Sequence, residues 1–99
     1  MPRFDVHPTG PSGTLVIDVQ ADLLDDLSSR VVVPLLPKPQ APPSMKGLNP
    51  TFDLGGAQLV MVTQMIAAVP VKLLRAPVAS LRQHQDEITK ALDVLLTGY

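Results

Sequence analysis

Cysteine and tryptophan are absent from this sequence, and aromatic residues make up only 3% of it. Without a thiol, the chain cannot form a disulfide, a thiolate zinc site or a cysteine nucleophile. A lack of disulfides is usual in the reducing cytoplasm. No apolar run approaches the ~18 residues that cross a membrane, and residues 1–30 show no signal-peptide pattern. The sequence therefore predicts a cytoplasmic protein without a membrane segment.

Charged residues are also scarce, at 17% of the sequence. Eight basic residues oppose nine acidic ones, which gives a net charge of −1. Nucleic-acid and acidic-membrane binding both depend on clustered basic side chains, so this balance argues against direct contact with either.

Apolar residues, by contrast, account for 45% of the 99 residues. Area scaling leaves a monomer of this size about 5,500 Å² of surface, and folding buries roughly 64% of what the unfolded chain exposes. We therefore expect a second copy of the chain to cover part of the remaining apolar surface, which gives a homodimer. The local indications are Val94, on an otherwise polar helix face, together with Met61 and Met65.

Proline and glycine divide the chain into short elements. Of the eleven prolines, five lie between positions 34 and 43. Because proline lacks an amide donor and fixes φ, residues 37–47 are predicted to form a loop. Pro34 lies inside the apolar run at 30–36, which predicts a strand that is at a sheet edge or has a bulge. The Gly55-Gly56 pair between two apolar runs predicts a tight hairpin.

The C-terminal segment changes to a helical period, which predicts a helix over about residues 80–97. Its predicted buried face consists of Leu81, Ile88, Ala91, Leu92, Leu95 and Leu96. Ser80 with Gln83 matches a capping box, and Gly98 is placed to end the helix in a left-handed conformation. Short strands followed by one helix predict a single mostly β domain over residues 1–99. Its expected form is a small antiparallel barrel or curled sheet of five or six strands, with the helix as a lid.

No catalytic or metal-binding motif stands out. His7 and His84 lie in different elements, and isolated histidines are usually packing or surface residues. The carboxylates at positions 22–26 suit a turn, and their spacing fits no calcium loop. Asp18 differs because it lies within an apolar strand, where a buried carboxylate needs hydrogen-bond donors. We predict a structural role for Asp18 and no metal or cofactor.

Several motifs resemble the CcdB toxins of bacterial toxin–antitoxin modules. They are LVIDVQADLLDD at 15–26, RVVVPLL at 30–36, LNP at 48–50, MVTQMIAAVPV at 61–71, and the C-terminal run from Leu95 to Tyr99. The resemblance covers nearly the whole chain in order. It breaks only at residues 7–13 and in the proline-rich loop.

The resemblance implies a non-enzymatic cytoplasmic homodimer with an SH3-like barrel, of the type shared with the MazF and Kid ribonucleases. Such toxins insert between the A subunits of DNA gyrase and trap the enzyme on cleaved DNA. A cognate CcdA-like antitoxin neutralises them by wrapping a disordered C-terminal segment over the toxin dimer. The gyrase-facing residues that the resemblance implies are Ala21, Leu23, Leu24, Lys90, Asp93, Thr97, Gly98 and Tyr99.

One position departs from the family pattern. The family's tryptophan, which stacks on a gyrase arginine, stands directly before the terminal glycine, where this chain has Thr97. Loss of an aromatic anchor commonly weakens binding by about thirtyfold, and Tyr99 would have to supply the ring instead. One alternative is therefore a degenerate toxin that binds its antitoxin but no longer poisons gyrase. A second is a MazF-like ribonuclease, whose candidate site residues are Arg3, Arg30 and His7.

Overall fold

The computed structural model describes residues 2–98. Within them the chain forms seven strands and one α-helix. The elements are β1 (Asp5–Thr9), β2 (Thr14–Asp18), β3 (Ser29–Pro37), β4 (Thr51–Leu54), β5 (Ala57–Met61), β6 (Ala67–Pro70), β7 (Ala79–Ser80) and α1 (Gln85–Thr97). The strands pair antiparallel in the order β4-β5-β3-β2-β1-β7, and β6 pairs with β3. This architecture confirms the prediction of a mostly β, barrel-like antiparallel sheet with a C-terminal helix.

The longest strand, β3, lies inside the sheet. On one side it pairs with β2, and on the other side β6 and β5 follow each other along it. Pro34 falls between these two partners, and its carbonyl accepts the Val62 N–H at 2.9 Å. Because the nitrogen and carbonyl of a strand residue face the same side, the Pro34 nitrogen faces this junction and interrupts no ladder hydrogen bond. The prediction of an edge position is wrong, since a change of partner strand accommodates the proline.

The β4–β5 hairpin confirms its prediction from sequence. Leu54 pairs with Ala57, which leaves Gly55 and Gly56 as a two-residue loop. Their φ angles are +59° and +86°. Positive φ at both central positions is the requirement of a type I′ turn, whose twist matches that of the flanking strands.

The helix begins later than the capping-box pattern predicts. Ser80 belongs to β7 and pairs with Asp5 of β1, and a 3₁₀ turn over Arg82–His84 precedes α1. The Ser80 hydroxyl still accepts the Arg82 N–H, at 3.3 Å, but this bond belongs to the turn. Pairing with β1 therefore takes the first predicted helical residues into the sheet. At the other end, Gly98 has φ +86° and ends the helix as predicted.

The core lies between the curled sheet and α1. From the helix it receives Ile88, Ala91 and Leu92, as predicted. Leu95 is half-buried, however, and Leu96 is 71% exposed, so the predicted apolar face extends beyond the core. No helix within residues 2–98 combines the length and apolar character needed to cross a bilayer.

Two of the three local indications of a dimer are not free apolar surface. Val94 is half-buried and lies beside Gly47: a Cβ added at Gly47 would be 3.8 Å from the Val94 Cγ2. Met61 is a fully buried member of the core. Met65 remains 53% exposed. Of the three, Met65 alone retains a largely exposed side chain that a second copy could cover, and the homodimer stays a prediction.

A candidate partner-binding surface

The segment after β2 carries the first group of predicted contact residues. It leaves the sheet beyond Asp18 and forms a 3₁₀ turn over Asp22–Leu24. Ala21, Leu23 and Leu24 are all exposed, and Leu23 has 92% of its surface open to solvent. Leu27, at 50% exposure, extends the same apolar patch. Grouped apolar side chains of this kind typically mark an interaction site.

The C-terminal half of α1 carries the second group. Lys90, Asp93, Thr97 and Gly98 are all exposed. The Thr97 hydroxyl donates a hydrogen bond to the Asp93 carbonyl at 2.6 Å, which turns this side chain back along the helix. Tyr99, the last residue of the predicted set, lies outside the described residues.

A cleft of about 490 Å³ joins the two groups. Ala21 and Leu24 line it from the turn, and Asp93 lines it from the helix. A second groove, of about 420 Å³, shares Asp93 and is lined by Lys90. The fold therefore brings these four predicted residues together. The other described members of the set, at positions 23, 97 and 98, are exposed but line neither cleft nor groove.

Sequence reasoning missed several residues that line this cleft. Among them are Arg3, Leu27 and Leu96. A signal existed for Leu27, which is the third leucine of the run after β2. Leu96 was assigned to the core because it continues the helical period. Nothing local indicated Arg3, which reaches the cleft only because the N-terminal segment packs beside the turn: its backbone N–H donates to Asp22 Oδ1 at 2.8 Å.

A buried polar network centred on Asp18 lies beneath the turn. The side chains of Asp18 and Arg30 are 0% and 1% exposed. Arg30 donates to Asp18 Oδ2 through Nε, at 3.0 Å, and through Nη2. The Gln20 N–H donates to Asp18 Oδ1 at 3.0 Å. Asp18 is thus buried and hydrogen-bonded as expected, and the paired guanidinium offsets part of the desolvation cost of its charge.

The acidic residues that follow Asp18 hold the turn through separate donors. Asp22 accepts the Arg3 N–H, whereas Asp25 Oδ1 accepts from Arg30 Nη1 at 2.9 Å. Within residues 2–98, no group of three His, Cys, Asp or Glu side chains is arranged to hold a metal ion.

The three residues considered for a ribonuclease site do not share a surface. His7 is 2% exposed, and its Nδ1 lies 2.8 Å from the Arg75 carbonyl. Arg30 is committed to the buried network, whereas Arg3 lines the cleft. This arrangement gives a phosphodiester no joint access to a general base and a cation. The other histidine, His84, is half-buried at the end of the 3₁₀ turn before α1, and its ring centroid lies 5.0 Å from that of the core residue Phe52.

Two solved structures show the same fold. Mycobacterium tuberculosis toxin MazF-mt6 matches with a TM-score of 0.74 and 13% identity, over 92% of this chain and 94% of that chain. An endoribonuclease in complex with its cognate antitoxin, from a mycobacterial species, matches with a TM-score of 0.75 and 12% identity, over 97% and 95% of the two chains. At such low identity the likeness establishes the barrel fold alone.

The family relationship comes from the sequence itself. The family model described as CcdB protein matches residues 3–98, which include both groups around the cleft except for the final residue. The matched range contains the motifs at 15–26 and 61–71 that carry the resemblance. The resemblance is confirmed over nearly the whole chain: this protein belongs to the CcdB family of toxins.

Proposed function

We propose that this protein is the toxin of a bacterial toxin–antitoxin module and that it poisons DNA gyrase by binding the A subunit. The observation that best supports this proposal is the cleft between the turn after β2 and the end of α1. The family resemblance implies gyrase contact for both segments, and residues of both line this cleft although they are distant in the chain.

The chemistry of this surface suits a protein partner. Leu23, Leu24 and Leu96 supply exposed apolar area, while Lys90 and Asp93 add charges beside it. Protein interfaces typically have an apolar centre within a polar rim, and a few central residues carry most of the binding energy. We expect Leu23 to be such a central residue because it is almost fully exposed before binding.

The proposal includes a cytoplasmic homodimer that a CcdA-like antitoxin neutralises. One similar structure is an endoribonuclease in complex with its cognate antitoxin, which supports an antitoxin partner for a barrel of this shape. The exposed large apolar side chains support coverage by a second copy or by the antitoxin. The net charge of −1 argues against direct nucleic-acid binding.

We propose that the protein acts without catalysis. Burial of His7 and Arg30 disfavours the ribonuclease alternative, because a hydrolytic site needs a base and a cation within reach of substrate.

A degenerate toxin that retains its antitoxin but not gyrase poisoning is the second candidate. The observation that favours it is Thr97, which offers no aromatic face and whose hydroxyl is bonded to the Asp93 carbonyl. An arginine of the partner could not stack there.

Induction of the protein in bacteria tests the proposal. Growth arrest with an SOS response and linearised plasmid is the expected result, and the exposed-surface variant Leu23→Lys should abolish all three while leaving Tm unchanged. Growth arrest with cleaved RNA and intact DNA would overturn the proposal in favour of a ribonuclease. Calorimetric titration distinguishes the degenerate toxin, which would bind a CcdA-like peptide but give no heat with a gyrase A fragment.

A further inference from the structure

The turn that presents Leu23 contains no buried residue. Residues 21–29 are all exposed. Between residues 21 and 27 the backbone bonds are short-range ones, donated to carbonyls three residues earlier by the N–H groups of Leu24 at 2.9 Å, Asp25 at 3.1 Å and Leu27 at 3.2 Å. The next backbone link is long-range, from the Val71 N–H to the Ser28 carbonyl at 2.9 Å. Segments with so few buried contacts generally open locally at low free energy. Something else must hold this turn if it is to present a defined surface.

Gln20 ties the turn to the sheet. It is 6% exposed, and its amide nitrogen Nε2 donates to the Leu24 carbonyl at 2.9 Å. Its Oε1 accepts the N–H of Val31, on β3, at 2.9 Å. One side chain therefore links the middle of the turn to the strand that follows it, while the Gln20 N–H is itself fixed by Asp18.

Two arginines hold the residues on either side of Leu23. Arg30 bridges the buried Asp18 and the exposed Asp25. Arg3 binds Asp22 through its backbone N–H, and its Nε donates to the Val19 carbonyl at 2.9 Å. Positions 22, 24 and 25 are each held by a hydrogen bond to a residue outside the turn. Leu23 stands between them with its side chain projecting into solvent.

We propose that Gln20, Asp18 and Arg30 form a brace: positioning residues that keep the turn in its partner-binding conformation before the partner arrives. The brace rests on the proposed function in one respect, namely that Leu23 and Leu24 contact the partner. A preorganised turn loses less conformational freedom on binding than a mobile one, so affinity depends on side chains that the partner never touches.

Gln20→Met tests the brace, because methionine is close to glutamine in length but makes neither hydrogen bond. Thr63→Val is the matched control: it removes a buried hydroxyl that donates to the Leu48 carbonyl, away from the turn. Hydrogen–deuterium exchange of the free protein should quicken about tenfold or more at the Leu24, Asp25 and Leu27 amides in Gln20→Met. The control should leave exchange at those amides at the wild-type rate.

Calorimetry with a gyrase A fragment supplies the functional readout. Gln20→Met should weaken binding about tenfold, and Leu23→Ala should weaken it without changing exchange in the turn. If wild type binds the fragment, equal affinity of Gln20→Met would overturn the brace. Wild-type exchange in that variant would overturn it whether or not the fragment binds. If Gln20→Met fails to fold, the exposed-site variant Asp25→Ala cuts the outer link to Arg30 and carries the same expectations.

The exchange and calorimetry experiments test the brace and the proposed function separately. A wild-type protein that gives no heat with the gyrase fragment refutes the proposed function. The exchange result then decides by itself whether the brace orders the turn.

Discussion

Asp18 and Arg30 are charged residues that the fold removes almost completely from solvent. A charged side chain can be buried in this way only while it keeps its partner, because an unpaired buried charge loses its hydration without compensation. Here Asp18 receives donors on both oxygens, from Arg30 and from the Gln20 backbone. Arg30 also binds Asp25 in the exposed turn. The buried pair therefore helps to fix the surface on which the proposed partner binds, although neither residue contacts that partner.

Asp18→Asn should lower the free energy of unfolding by about 3 kcal/mol, since it removes the charge of the buried one of the two carboxylates that pair with Arg30. Urea denaturation measures the change. The exposed Asp26→Asn is the control and should stay within about 0.5 kcal/mol of wild type. Coincident unfolding curves for Asp18→Asn and wild type would contradict this expectation.

Thr97→Trp should tighten binding to a gyrase A fragment about thirtyfold, because it restores an aromatic face for cation stacking at an exposed position. Isothermal titration calorimetry measures the affinity. Thr97→Val removes the hydroxyl bond to Asp93 without adding a ring, so it should bind as wild type does. Absence of heat from wild type and Thr97→Trp alike would make gyrase the wrong target.

Among the elements, α1 has one end that is determined by local sequence and one that is determined by the sheet. Its C-terminus is local: Gly98 takes φ +86°, and its N–H donates to the carbonyls of Asp93 and Val94. Its N-terminus is set by the sheet, because the Leu81 N–H donates to the Phe4 carbonyl at 2.8 Å and holds the approach to the helix against the N-terminal segment. The helix therefore begins only after the chain has left its pairing with β1.

Gly98→Ala should destabilise the protein by about 1 kcal/mol, because an L-residue with a Cβ is strained in the left-handed region. Thermal unfolding followed by circular dichroism measures the loss. Thr89→Ala, at an exposed position within α1, is the control and should leave Tm unchanged or slightly raised. A Gly98→Ala variant with wild-type Tm would mean that the last helical turn frays in solution.

As a whole molecule, the chain has the radius of gyration of a compact monomer, 12.6 Å, close to the about 12.6 Å expected for its length. Its accessible surface, 5879 Å², is somewhat above the roughly 5,500 Å² that area scaling gives. Large apolar side chains contribute to that surface, with Leu23, Met45 and Leu96 each more than half exposed.

A homodimer is therefore expected in solution, since a second copy can cover part of this apolar surface. Light scattering at about 10 μM should give twice the monomer mass of 10.6 kDa, because a stable interface persists at that concentration. A mass of one chain, unchanged as the concentration is raised tenfold, would contradict the expectation.

The sequence by itself determined the features that depend on a few adjacent residues. The Gly55-Gly56 turn and the Gly98 helix end follow from glycine's access to positive φ, which needs no information from distant parts of the chain. The need of Asp18 for donors also follows from its apolar strand neighbours. The candidate contact residues also came from the sequence, because the motifs that resemble the family can be recognised without the structure.

Tertiary structure alone decided the features that depend on which distant segments meet. Pairing with β1 moved the start of α1, and a change of partner strand placed Pro34 inside the sheet. The identity of Arg30 as the Asp18 donor and the exposure of Leu96 were likewise settled by packing. The cleft itself arises because Ile88, Ala91 and Leu92 pack α1 against the sheet that leads into the turn after β2, and no local propensity encodes that packing.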